Sequence, residues 1–162
     1  MDKFKLVLEK EEGYTYDEYQ VTSPESLASA ANGIFDLSRQ TEELLVVLGF
    51  DSKGKVISAT EVARGSMTST IIHPRELFKR LLVSNCRSFA LAHNHPSGDP
   101  SPSKSDRAVT QEILKASKLL EIEFHDHIII GHDGDYFSLR ANNMFEEMIE
   151  HGFFKEFGLD EG

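Results

Sequence analysis

A single cysteine, Cys86, stands in a chain of 162 residues. No internal disulfide can form, and a thiolate cage is excluded, so any metal must be held by His and carboxylate side chains. Cys86 itself reads as a small buried apolar residue. Long apolar runs are missing as well: nothing approaches the roughly 20 residues of a membrane span, and Met1-Asp-Lys-Phe-Lys lacks a signal-peptide core. The expectation is a soluble, cytoplasmic protein with no membrane partner. Basic residues are outnumbered, 17 Lys and Arg against 27 Asp and Glu, for a formal net charge of −10. Proteins that bind nucleic acid through its phosphates gather cations in excess, so nucleic acid is a disfavoured partner. The local groups Lys53 with Lys55, and Arg75, Lys79 and Arg80, read as solvated surface. Repeats, low-complexity tracts and linkers long enough to split the chain are also absent.

What is present suits one core. With 40% hydrophobic residues the chain is read as a single domain over 1–162. Residues 1–40 are expected to hold a hairpin or edge strands, from the alternating Phe4–Leu8 and Tyr14–Val21, and then a helix over 24–38. Ser23-Pro24 offers that helix an N-cap and a first-turn proline, with Leu27, Ala30, Ala31, Ile34 and Leu37 at helical spacing. Leu44–Leu48 and Val56–Val62, joined by Asp51-Ser-Lys-Gly54, predict an antiparallel pair whose first strand is buried on both faces. His73-Pro-Arg-Glu opens a short helix with Leu77, Phe78, Leu81 and Leu82 inward, and Phe89–Ala92 reads as a central strand. A helix over 104–120, marked by Val109, Ile113, Ala116 and Leu120, follows, then a strand over 122–130 and a tight hairpin at Asp133-Gly134. From Arg140 the pattern turns helical, with Met144, Met148 and Phe153-Phe154, and ends acidic.

The segment between the central strand and the next helix carries the chemistry. His93 and His95 lie two apart at a strand end, so extended backbone sends both imidazoles to one side. Asp106 lies in the first turn of the helix, and the loop between them, with Pro96, Gly98, Pro100 and Pro102, is short enough to fold that turn back over the strand end. Two imidazoles and a carboxylate around Zn²⁺ leave a fourth position open to water, the pattern of hydrolytic zinc. Such a site needs a proton acceptor that is not a ligand, and Glu43, at the start of the buried strand, is the candidate. Ser103 could donate to a developing oxyanion; Ser103-x-x-Asp106 is equally a helix capping box. His125-Asp-His127 repeats the His spacing inside a strand, where one histidine could support the site by bonding to a ligand.

The segment His93-x-His95, seven residues, Ser103, two residues, Asp106 resembles the JAMM motif of the MPN (JAB) metalloprotease superfamily, and the loop His-Asn-His-Pro-Ser-Gly-Asp-Pro-Ser-Pro-Ser resembles its RadC branch. The likeness extends through Leu48-Gly-Phe-Asp51, Gly65-Ser66, His73-Pro-Arg-Glu76 and Asp126-His-Ile-Ile-Ile-Gly131, from about Glu43 to Leu139. It implies an α/β fold, a mixed sheet wrapped by helices and similar to cytidine deaminases. It also implies zinc on His93, His95 and Asp106, Ser103 supporting the tetrahedral intermediate, and an upstream glutamate activating water. Glu42 and Glu43 compete for that last role; counting back from Asp51 as RadC-like chains do favours Glu43. Zinc deamination would need a Pro-Cys-x-x-Cys that one cysteine cannot supply. Residues 41–139 are thus read as a RadC-like core and 140–162 as an acidic helical extension. Residues 1–40 do not resemble the family's helix-hairpin-helix region.

These readings converge on a zinc-dependent hydrolase of peptide or isopeptide bonds, with a peptide or protein substrate. Two other classes stay open at this point: a DNA repair or recombination factor or metal nuclease of the RadC type, against which the acidic balance argues, and a non-catalytic module in which metal only staples the loop.

Overall fold

A computed structural model describes residues 19–65 and 72–150. The segments Phe4–Leu8 and most of Tyr14–Val21, together with Ser66 and Phe153-Phe154, fall outside those residues. The described elements are α1 (Pro24–Phe35), β1 (Leu44–Phe50), β2 (Val56–Arg64), α2 (Pro74–Ser84), β3 (Ser88–Asn94), α3 (Lys104–Leu120), β4 (Glu123–Ile130), β5 (Tyr136–Ser138) and α4 (Met144–Glu150). One five-stranded sheet runs in the order β2-β1-β3-β4-β5. β3 pairs parallel with β4, and the other neighbours are antiparallel. This is the expected mixed sheet with helices, with β3 at its centre. Among the described residues no helix is long and apolar enough to cross a membrane.

Strand alternation divides the core into two layers. Leu45, Val47, Phe89 and Leu91 face α2, α3 and α4, where they meet Leu77, Phe78, Leu81, Val109, Ile113 and Phe145. Leu44, Val46, Leu48, Ala90, Ala92, Ile128 and Ile130 face the other way, onto Leu27, Ala30, Ala31 and Leu37. β1 is therefore buried along its whole length, as its unbroken apolar run foretells. A fully buried Leu contributes roughly 1.5–3 kcal/mol relative to exposure, so these two layers are the fold's main support.

Local chemistry sets the element ends. Ser23 caps α1 and exchanges hydrogen bonds with Ser26, and Pro24 takes the first turn. The helix stops at Phe35, earlier than the spacing to Leu37 indicates, because Asp36 turns left-handed at φ 51° and its amide closes on Asn32. A 3-10 turn over Leu37–Arg39 still buries Leu37. Leu82, read as inward, is exposed, one step round its helix from the buried Leu81, and Leu120 at the end of α3 is exposed as well. α4 begins at Met144 rather than Arg140, which is drawn back to the sheet: its guanidinium donates to the Phe124 and His125 carbonyls and stacks on Phe145. Asp133 and Gly134 both take positive φ, and the Asp135 amide closes on the His132 carbonyl, giving the tight β4–β5 hairpin that Asp-Gly predicts.

Candidate metal centre

His93 is delivered by β3. It pairs across the sheet with Leu45 and continues the Phe89–Leu91 alternation, so its ring enters the α3 layer, 1% exposed. His95 follows just beyond the strand on the same parity. Its amide still bonds the Ile130 carbonyl at 2.9 Å, which keeps the chain extended through the pair.

The loop then reverses. The Gly98 amide closes on the His95 carbonyl at 2.9 Å with Gly98 at φ +86°, a conformation that L side chains rarely adopt. Gly131 must also be glycine, since a Cβ there would lie 2.3 Å from the Gly98 carbonyl oxygen. This turn brings the Asp99 carbonyl to 2.8 Å from His95 Nδ1. A carbonyl only accepts, so Nδ1 carries the hydrogen, and in the neutral ring Nε2 is left as a lone pair.

Asp106 arrives from the start of α3, where Ser103 is the N-cap. Its Oδ1 lies 3.2 Å from His93 Nε2 and its Oδ2 3.3 Å from His95 Nε2, and the two Nε2 atoms are 3.0 Å apart. Among the described residues this is the one group whose ligand atoms can hold a metal ion, all lying within 4.8 Å of one another. Burial pushes the Asp106 carboxyl up, but its pairing with the facing His93 and His95 rings outweighs this and holds the group well below the usual carboxylate range. His95 is raised in return, first through the hydrogen bond that its protonated ring donates from Nε2 to Asp106. The donor set fits a divalent ion of the zinc type: imidazole nitrogens and a carboxylate, converging and almost dry.

Of the other sequence-predicted residues, Glu43 shares the parity of Leu45 and His93, is half-buried, and its charge contributes to raising His95. Glu42 is exposed and has the opposite parity. Ser103 forms the capping box in full, its Oγ accepting the Asp106 amide at 3.1 Å while Asp106 Oδ2 accepts the Ser103 amide at 2.6 Å. That bond uses a lone pair of the hydroxyl and not its hydrogen. His127 reaches His93 Nδ1 at 2.8 Å, the kind of support for a candidate ligand that one histidine of the second pair could give; burial lowers its pKa well below the histidine range.

A model of the RadC-like JAB domain matches residues 21–144. The chain belongs to this family. The match takes in α1 as well as the Glu43–Leu139 span. The RadC-like chain is 40% identical over 125 residues to a UPF0758 protein of Methanosarcina mazei, covering 74% of this chain and 54% of that protein. It is 39% identical over 131 residues to one of Clostridium acetobutylicum (80% and 56%) and 34% identical over 125 residues to one of Clostridium perfringens (77% and 54%). The chain thus spans about half the length of the curated relatives it matches.

Two residues of the RadC-like site were missed by sequence reasoning. Asn94, between the two histidines, points to the opposite face, where Oδ1 accepts the Leu44 amide at 2.8 Å and Nδ2 donates to the Glu42 carbonyl at 3.0 Å. It ties the backbone on both sides of Glu43 to the strand that carries the ligands. Thr110, fully buried on α3, bonds His127 at 2.7 Å. A polar residue on an apolar helix stripe is the only sequence signal Thr110 offers.

Proposed function

We propose that this protein is a zinc-dependent hydrolase of amide bonds, of peptidase or isopeptidase type, acting on a peptide or protein substrate. The observation that carries the reading is the convergence of three Lewis bases, the buried His93 and Asp106 and the partly buried His95, with Glu43 just ahead of β1 and its charge acting on His95. When bound, zinc supplies Lewis acidity and brings the pKa of a water to about 7. Glu43 takes a proton from the attacking water as the new bond to the carbonyl carbon forms, then returns it to the leaving amine as the C–N bond breaks. The Ser103 hydroxyl hydrogen is available to the developing oxyanion. Neutral Nε2 atoms on both histidines and the ionised Asp106 are the forms this chemistry requires.

Elemental analysis of tag-free wild type and Asp106→Ala, followed by a screen of peptide and isopeptide substrates, tests the reading. About one zinc per chain that disappears in the variant, with turnover that Glu43→Gln abolishes, supports it. Wild-type protein that takes up no added zinc removes the metal site, and a zinc-loaded protein whose Glu43→Gln variant is as active as wild type removes the mechanism.

A further inference from the structure

The hydrogen bonds behind the ligands have a single consistent direction. Thr110 Oγ1 lies 2.6 Å from the Asp106 backbone carbonyl and 2.7 Å from His127 Nδ1. The carbonyl only accepts, so the one hydroxyl hydrogen goes there, and the same oxygen accepts from His127, which places a hydrogen on Nδ1. His127 is 1% exposed and its ring partners are a hydroxyl and another imidazole, neither with negative charge, so the ring is neutral and its Nε2 is a lone pair. At 2.8 Å from that lone pair, His93 Nδ1 donates. The neutral His93 ring then has nothing but a lone pair at Nε2, the atom that faces Asp106 and His95.

We propose that Thr110 and His127 are positioning residues that lock His93 into its metal-accepting tautomer before any metal arrives. The chain of bonds starts and ends on ligands, from the Asp106 carbonyl through Thr110 and His127 to His93. The turn of α3 that carries one ligand therefore sets the proton position on another. Two histidines that bond through Nδ1 and Nε2 exclude the opposite arrangement only while something accepts from His127 Nδ1. Without Thr110 Oγ1, the His127 hydrogen is free to move to Nε2, His93 Nδ1 becomes the acceptor, and the His93 hydrogen occupies the nitrogen that would ligate. His95 has its own lock in the Asp99 carbonyl, so the two imidazoles are held by independent devices. The inference rests on the zinc reading above.

The test compares Thr110→Val, nearly isosteric but without the hydroxyl, with Thr110→Ser, which keeps it. Zinc affinity is measured by chelator competition on the 162-residue chain, with melting curves of the metal-free forms. Loss of such a supporting bond lowers metal affinity by about 10- to 100-fold, so Thr110→Val is expected to fall in that range and Thr110→Ser to stay near wild type. His127→Gln, whose amide oxygen accepts from His93 and whose NH₂ donates to Thr110, retains most of the affinity, and His127→Leu does not. Imidazole ¹⁵N NMR of the metal-free wild type reads the tautomer directly, whatever the variants do: a hydrogen on His127 Nδ1 supports the lock, and one on Nε2 overturns it. Thr110→Val that binds zinc as tightly as wild type, with only a lowered melting temperature, assigns Thr110 a structural role and overturns the lock alone. Wild type that takes up no zinc overturns this inference together with the reading beneath it.

Discussion

Ser103 and Asp106 hold each other at the start of α3, each accepting the other's backbone amide, at 3.1 and 2.6 Å. The same Asp106 carboxylate faces both histidines. The capping reading and the ligand reading of Ser-x-x-Asp are therefore not alternatives: the cap aims the carboxylate at the two histidines, because the same group accepts the Ser103 amide at the helix end.

Asp106→Asn should separate the two roles. The amide oxygen can still accept the Ser103 amide, so the cap survives, while the lost charge is expected to lower zinc affinity at least about 10-fold. Asp106→Ala loses both, adding about 1 kcal/mol of helix-start destabilisation. Chelator competition and melting of the metal-free variants distinguish them; equal zinc affinity in wild type and Asp106→Asn would remove Asp106 from the ligand set.

Glu43→Gln is expected to keep zinc and lose about 10²- to 10⁴-fold in amide hydrolysis, the range of a general base. Glu42→Gln, on an exposed side chain of opposite parity, should leave the rate unchanged. Measured turnover of the two variants decides the assignment, and the reverse pattern would transfer the role to Glu42.

Asn94→Ala strands the Leu44 amide and removes the tie to the Glu42 carbonyl. Urea denaturation should show a loss of about 1–3 kcal/mol, the cost of unsatisfied buried groups. Activity should fall further than stability alone explains, since Glu43 sits on the released segment. A variant with wild-type stability would show that water replaces the amide at no cost.

Asp126 predicts a pH trend. Burial raises its pKa, against hydrogen bonds from the Ser138 hydroxyl and the Arg140 and His127 amides. A carboxyl raised on folding binds its proton more tightly in the native state, so stability falls as pH rises from the ordinary carboxylate range, about 3.9, through the raised value. Asp126→Asn should flatten that part of the curve while its amide oxygen keeps the backbone donors. Denaturation midpoints between pH 4 and pH 7 check it; an unchanged slope in the variant assigns the trend to other groups.

Much of the fold was legible because its signals are local. The buried run of β1, the capped starts of α1 and α3 and the Asp133-Gly134 turn each follow from residues within one element. The misread positions were those where packing overrides periodicity. Asp36 ends α1 with an unforced left-handed turn, and Leu82 satisfies a helical spacing without a layer to cover it.

The site divides along the same line. His93, His95, Ser103 and Asp106 lie on one strand end, one loop and one helix start, so short-range backbone geometry brings them together, and the sequence alone picked out the group that could hold a metal. Asn94, Thr110 and His127 meet their partners across 50, 17 and 34 residues. His127 depends on a further feature: β4 advances three residues, Phe124 to His127, while β3 advances two, Phe89 to Leu91. That extra residue places Phe124 and His127 on the same face of the sheet, where simple alternation would set His127 on the α1 side. Only the tertiary structure could decide it, because the face a strand residue occupies is set by its register against a neighbouring strand, and register is a property of the assembled sheet.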